Sequence, residues 1–322
     1  MSQLSGWPHP GVAPFHAGER AAQARTGVAE RMAEIGHRAM RGAMPQQHRD
    51  FFPLLHFVAL GAVDAQSQPW ATLLARETPG FVFAPDEATL QVDALPPADD
   101  PLADLLNVGA SLGLLGIELP TRRRNRANGH VTVRTDKGFS LAVLQSFGNC
   151  PKYIQTRELL PPAWPRQAPA ATRRGRQLDA GMRALVNAAD TFFIATHAAG
   201  EGPNGGSDVS HRGGRPGFVR VSDDGRSLTW PDFTGNSFFN TLGNLLAQPQ
   251  AGLVVPDFTT GGLLHIAGRA EVMWEGPQVR AFAGAQRLVT LDVDEALFRP
   301  AVLPWRWDLV EQSRALEGTG TW

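Results

Sequence analysis

The chain carries one pattern of elements twice. "FVALGAVD" (57–64) corresponds to "FFIATHAA" (192–199), and "PGFVFAPDEATLQV" (79–92) to "PGFVRVSDDGRSLTW" (216–230). "DPLADLLNVGASLGLLGIELP" then corresponds to "NSFFNTLGNLLAQPQAGLVVP", and "RANGHVTV" to "HIAGRAEV". A repeat that preserves order and element type means two copies of one folding unit. Within each copy, short β-type runs are joined by tight turns, which predicts a meander or small barrel. The fold class expected is mainly β with helices (α+β), a tandem duplicated β-barrel preceded by a helix. That helix is predicted over about Glu19 to Met40, where Ala21, Ala24, Val28, Met32, Ile35 and Ala39 recur at helical spacing. Further helices are predicted at "DPLADLLNV" and at Leu178 to Asp190. The proline-rich "PPAWPRQAPAATRRGRQ" reads as a linker. The resulting division is 1–46 for an N-terminal arm and helix, 47–165 for the first repeat and 166–322 for the second.

Composition removes several classes of function. With 30 Lys plus Arg against 31 Asp plus Glu there is no global field to draw in nucleic acid or an anionic membrane. The single cysteine, Cys150, excludes an internal disulfide and a cysteine-rich metal site. No His spacing suits a metal, no apolar run approaches a membrane span, and the N-terminus lacks signal-peptide character. The expectation is a soluble protein of the bacterial cytoplasm.

Gly200, Gly202 and Gly205 in "GEGPNGG" match G-x-G-x-x-G. A dinucleotide turn needs a helix directly after the glycines, whose N-terminus takes the pyrophosphate. "SDVSHRGGRPGF" follows instead, with Pro216 and three more glycines. The string therefore reads as a loop between two strands.

The halves differ in chemistry. Arg215 and Arg220 bracket the strand "RPGFVR", where the first half has Thr78 and Phe83. "TGNSFFNTLGN" reads as a loop entering a helix, with Asn236 or Ser237 as its cap and free N–H groups that could face an anion. The matching first-half segment holds Asp99 and Asp100, which would repel a phosphate. A phosphate-bearing ligand thus belongs to the second half, and the first-half site is degenerate.

Residues Phe192 to Met273 resemble the flavin-binding split barrel of the pyridoxamine 5'-phosphate oxidase-like family. In register with that family's FMN-contacting segments stand Arg215 and Arg220, then Trp230 and Pro231, then Gly235, Asn236 and Ser237; the family's Arg-Lys of the last run is missing. "GLLGIELPTRRRNRANG", "SFGNCPKYIQ", "DVSHRGGRPGFVRV", "FFNTLGNLL" and the final "TGTW" also resemble a module of that family that can be fused to a flavin reductase and ferredoxin. The resemblance implies a tandem FMN-binding split barrel acting as an oxidoreductase. Electrons would come from a separate reductase or ferredoxin-type donor, and the barrels would pair as a homodimer or an intrachain pseudo-dimer. It implies FMN as cofactor, with FAD as an alternative. Haem is a further alternative, with His197, His211 or His265 as ligand, in a binding or electron-transfer adaptor without catalysis. Arg215, Arg220, Asn236 and Ser237 are the phosphate candidates; Arg212 and Trp230 are candidates for the ring or ribityl edge. Ser210 and Trp305 complete the candidate set, the latter from "LPWRWDLV", where Trp305 and Trp307 would share a strand face. Two clusters are left with plain roles. Arg122, Arg123, Arg124 and Arg126 read as a solvated hairpin turn ending in Asn128-Gly129, able to receive an acidic donor protein or nucleotide. Cys150, beside Tyr153, reads as an isolated thiol.

Overall fold

The computed structural model describes residues 6–160, 171–200 and 202–322. Most of the proposed linker, 161–170, and Glu201 of the glycine string lie outside the described residues.

The first repeat contains β1 (Phe57–Val63), β2 (Pro69–Ala75), β3 (Val82–Phe83), β4 (Thr89–Val92), β5 (Ser111–Glu118), β6 (Arg123–Arg134) and β7 (Phe139–Gly148). β8 (Thr156–Leu160) and β9 (Arg173–Gly175) follow. The second repeat contains β10 (Thr191–Ala198), β11 (Gly206–Gly213), β12 (Arg220–Val221), β13 (Ser227–Asp232), β14 (Gln250–Pro256), β15 (Leu263–Met273) and β16 (Arg287–Arg299). The sheets run β2-β1-β5-β6-β7-β4-β3 and β11-β10-β14-β15-β16-β13-β12, the same order twice. A final strand, β17 (Arg306–Glu311), pairs with β8 of the other half. The duplication read from the sequence is the architecture.

Each barrel has its own core, and a third apolar cluster lies between them. Side chains alternate along a strand. Val58, Leu60 and Ala62 of β1 therefore enter the first core, while Phe57 and Ala59 join Phe193 and Ala195 of β10 in the shared cluster. β10 repeats this, with Phe192 and Ile194 facing the second core. Burial on both faces explains the unbroken apolar runs. It also corrects the register of the repeat by one residue. Phe192 occupies the place of Val58, not Phe57, because a one-residue slip turns every side chain to the opposite face.

Other expectations change locally. The N-terminal helix is two helices, α1 (Ala17–Arg25) and α2 (Ala29–Ala39), divided at Gly27, whose φ of +70° a helix cannot contain. A short α3 (Gln46–Arg49) follows. "DPLADLLNV" forms successive turns rather than a helix. Asp100 Oδ1 accepts from Leu102 N at 2.9 Å there, an Asx turn that competes with helix. The linker leads to α4 (Ala180–Ala188), capped by Asp179. α5 (Asn240–Ala247) and α6 (Pro277–Ala281) complete the set. Among the described residues, no helix is long and apolar enough to cross a membrane.

The N-terminal arm bridges the barrels. Trp7, Phe15, Met32 and Met40 pack on Phe147 of β7 and Phe238 before α5.

Candidate functional site

A cavity of about 120 Å³, open to solvent, lies where the two barrels meet. The second barrel supplies the end of β11 with Ser210, His211 and Arg212, the segment from Pro231 to Ser237, the first turn of α5, and Arg287. The first barrel supplies Arg124 and Arg126 from β6, and Asn149, Cys150, Lys152 and Tyr153 from the segment after β7.

From Arg123 the arginine run is thus strand β6 and not a solvated turn, Arg122 sitting in the turn before it, and Asn128-Gly129 lies within β6 at a register shift. Arg124 and Arg126 are two residues apart, so they share a face. Their cross-strand partners Ile117 and Leu115 belong to the apolar cluster between the barrels, which aims both guanidinium groups at the second half. Arg122 and Arg123 are spent elsewhere: Arg122 pairs with Glu311 at 2.9 Å, and Arg123 lies over the Phe51 ring.

Arg126 is buried and held by the second barrel. Its Nε lies 2.9 Å from Asp208 Oδ1, and Nη2 donates to Ser210 Oγ at 2.6 Å and Val209 O at 2.9 Å. Arg287 is neutralised by Asp232 at 2.9 Å and faces the Phe239 and Trp274 rings. Arg124, Arg212 and Lys152 form no ion pair with a carboxylate among the described residues. Burial, then the neighbouring Arg126 and Arg212, brings the Arg124 guanidinium down to about 9. Burial also lowers Arg212. The cavity wall therefore carries uncompensated positive charge, and an anion would relieve it.

His211 is held neutral by burial and by Arg124, Arg212 and Arg157 around it. Arg124 Nη1 lies 3.4 Å from His211 Nδ1 and can only donate, so Nδ1 accepts and the ring proton sits on Nε2. That Nε2 is buried and has no hydrogen-bond partner, and neither do Arg124 Nε, Asn149 Oδ1 and Thr241 Oγ1. Four buried polar atoms without partners around one cavity are costly unless a ligand meets them. The first turn of α5 adds free backbone N–H groups, since its N-cap, Phe239, offers no side-chain cap.

Four of the residues proposed from the sequence line this cavity: Ser210, Arg212, Asn236 and Ser237. Asn236 and Ser237 do not cap α5, which begins at Asn240; Asn236 Oδ1 instead accepts from Phe238 N at 3.1 Å, and Ser237 has a φ of +63°. The other four stand apart. Arg215 is exposed and donates to Leu316 O at 3.1 Å, while Arg220 lies over the Trp322 ring at 4.2 Å. Both cations hold down the C-terminal segment. Trp230 is 1% exposed in the second core, edge-on to Phe192. Trp305 donates to Arg76 O and packs edge-on to His56. Of the three histidines considered, only His211 lines the cavity; His265 Nδ1 bonds Ala71 O, and His197 Nδ1 pairs with Ser207 Oγ. The glycine string joins two antiparallel strands, β10 and β11, with no helix after it.

Arg124, Arg126, Asn149, Tyr153, Thr241 and Arg287 were absent from the sequence-based site. The usable signal was the spacing Arg124-x-Arg126 within a run that alternates like a strand. Tyr153 joins the two sides of the mouth: its Oη donates to Thr234 O at 3.0 Å, and its ring lies 5.2 Å from that of Phe233. Among the described residues, no group of His, Cys, Asp and Glu is arranged to hold a metal ion.

Residues 178–300 match the family model described as pyridoxamine 5'-phosphate oxidase. Solved structures similar to this chain include HupZ of Group A Streptococcus, at 16% identity and TM-score 0.30, covering 38% of this chain and 93% of that one. A FAD-binding protein of Mesorhizobium loti is similar at 14% identity and TM-score 0.26, covering 40% and 99%. The heme storage protein HutZ of Vibrio cholerae is similar at 13% identity and TM-score 0.26, covering 38% and 95%. No curated protein matches the chain.

Proposed function

We propose, from the match of residues 178–300 to the pyridoxamine 5'-phosphate oxidase family model, that this chain is a flavin-dependent oxidoreductase holding one FMN in the cavity between its barrels. The observation that carries the reading is the set of buried, partnerless polar atoms beside cations that no carboxylate neutralises. Those groups fit a phosphate ester. Arg124, Arg126, Arg212, Ser210 and the first turn of α5 would take the phosphate, since a helix N-terminus and guanidinium groups both favour bound anions. Asn236 and Ser237 would contribute from the loop before α5. Tyr153, Phe233 and Pro231 would form the apolar wall for the ring. Bound there, the flavin supplies the electron-transfer chemistry, and the protein supplies orientation and electrostatics.

In this reading the two barrels of one chain make the pair that the site requires. A haem reading fits less well. His211 is the candidate ligand in the cavity, and its Nδ1 is committed as an acceptor from Arg124, so Nε2 carries a proton where iron would need a lone pair.

Titration of the full chain with FMN and riboflavin tests the proposal. FMN is expected to bind and riboflavin to bind more weakly. Arg124→Ala with Arg126→Ala should weaken FMN by about 100-fold or more, each charged contact being worth about 1.5–3 kcal/mol, and riboflavin by much less. A chain that ignores FMN, or a double variant that loses both flavins equally, would refute it.

A further inference from the structure

The anion end of the cavity is not built by the barrels alone. Behind it stands α1 of the N-terminal arm. α1 and α5 cross with their backbones in contact: a Cβ on Gly18 would sit 2.1 Å from Gly243 O, and one on Gly243 would sit 2.5 Å from Glu19 Cα. This approach buries the Glu19 carboxyl to 3% exposure. Glu19 Oε2 accepts from His16 N at 2.9 Å, and Oε1 accepts from Asn240 Nδ2. Asn240 opens α5 and lines the cavity, and its Oδ1 accepts from Arg126 Nη1 at 3.3 Å. One line of buried bonds therefore runs from the arm through α5 to the cavity arginine. The rest of the junction is satisfied: Gly18 N donates to His16 Nδ1 at 3.1 Å, so His16 Nε2 donates to Asn244 Oδ1 at 2.7 Å, and Asn244 Nδ2 donates to Thr196 Oγ1 at 3.0 Å.

We propose that Glu19 is a positioning residue for the anion end of the cavity, fixing through Asn240 the first turn of α5 and Arg126 for a phosphate-bearing ligand. The inference rests on the anionic-ligand reading of the cavity and adds the N-terminal arm to the site. The proton on Glu19 is part of the device. The charged and titratable groups facing it are His16 on its own arm, Arg126 from β6 and Asp208 from β11; α5 presents the neutral Asn240. Burial holds the Glu19 carboxyl up at about 8, so it is uncharged at neutral pH. Deprotonation above that value adds a negative charge behind an anion site. By linkage, a bound phosphate raises the Glu19 pKa further, and affinity falls as pH rises past about 8.

The test measures dissociation constants of FMN, riboflavin and inorganic phosphate for the full chain at pH 7.5 and 9, with folding monitored by circular dichroism. Cys150, which lines the cavity, is replaced by serine throughout. In that background FMN should weaken by up to about 10-fold per pH unit between the two values. Glu19→Gln, which keeps an acceptor oxygen for Asn240 without a proton to lose, should remove the Glu19 part of the pH dependence. The difference between the two profiles cancels the titration of other groups. Glu19→Ala should weaken FMN about 5–10-fold at pH 7.5, the worth of a buried hydrogen bond, with riboflavin nearly unchanged. The proposal falls if Glu19→Gln leaves the pH profile as it was, or if a folded Glu19→Ala loses both flavins equally. If phosphate binds and FMN does not, the flavin reading fails while the Glu19 test is read on phosphate. If neither binds, both readings fail.

Discussion

The cavity and its counterpart in the first repeat are built from equivalent strands and filled in opposite ways. Gly61 of β1 pairs with Ala71 of β2 as Ala195 of β10 pairs with Val209 of β11. Counting from these pairs, Thr72, Leu73 and Leu74 hold the places of Ser210, His211 and Arg212. Where the second repeat leaves a cavity, the first is closed by a residue of the second. Arg299, 1% exposed, reaches across from β16 and bonds Asp100 Oδ2 and Asp99 Oδ1, each at 2.6 Å. Thr72 Oγ1 donates to Asp100 Oδ2 at the same distance. Protein carboxylates neutralise the cation there, so no ligand is needed. The cavity presents cations that lack this partner. The same barrel thus gives a closed ion pair or an open cavity lined with cations, depending on whether the chain itself supplies the anion.

The largest way to break this comparison is through stability. Arg299→Ala leaves buried Asp100 without its cation and should cost about 3–5 kcal/mol in urea unfolding. Arg124→Leu removes a cation that already lacks a carboxylate and should change ligand-free stability by less than about 1 kcal/mol in either direction. Equal destabilisation would mean that the two sites are not opposites. Next in size is Tyr153→Phe, which removes the bond across the cavity mouth. A loss of about 0.5–1.5 kcal/mol of binding free energy for FMN is expected, read as faster release in stopped-flow fluorescence.

The acid limb of stability sharpens the contrast by pH. Hydrogen bonding to Arg299 depresses the Asp99 carboxyl. A depressed carboxylate stabilises the fold above its unfolded pKa of about 3.9, and that contribution is lost as pH falls through the folded value. Arg299→Met should therefore flatten stability measured below about pH 4, and an unchanged acid limb would remove the pair from the account. The smallest effect concerns the cations that the sequence favoured. Arg215→Ala with Arg220→Ala should leave FMN affinity within about 2-fold, while releasing a cation–π contact worth about 0.5–1 kcal/mol of stability at an exposed site. A large affinity loss would return those residues to the site.

How far the site could be read from the sequence follows from what each residue type reports. Asn236 and Ser237, which line the cavity, stand out because that segment differs between the repeats when the copies are aligned. Arg215 and Arg220 were misplaced because charge alone does not say which partner is near; the C-terminal Leu316 and Trp322 claim them. Glu19 was hidden by its helix, where an acidic residue in the first turn reads as a favourable dipole contact and not as a buried carboxyl.

The sequence by itself determined the duplication, the strand texture and the chemical asymmetry between Asp99-Asp100 and Asn236-Ser237, because these are local or periodic properties of a chain. Only the tertiary structure decided that the first repeat lends its arginines to the cavity beside β11 and α5. Arg126 and Ser210 are 84 residues apart yet bonded at 2.6 Å. Alternation on β6 sends Arg124 and Arg126 into the seam between the barrels, and the electrostatics of a cavity depend on distance through space, which sequence separation does not encode.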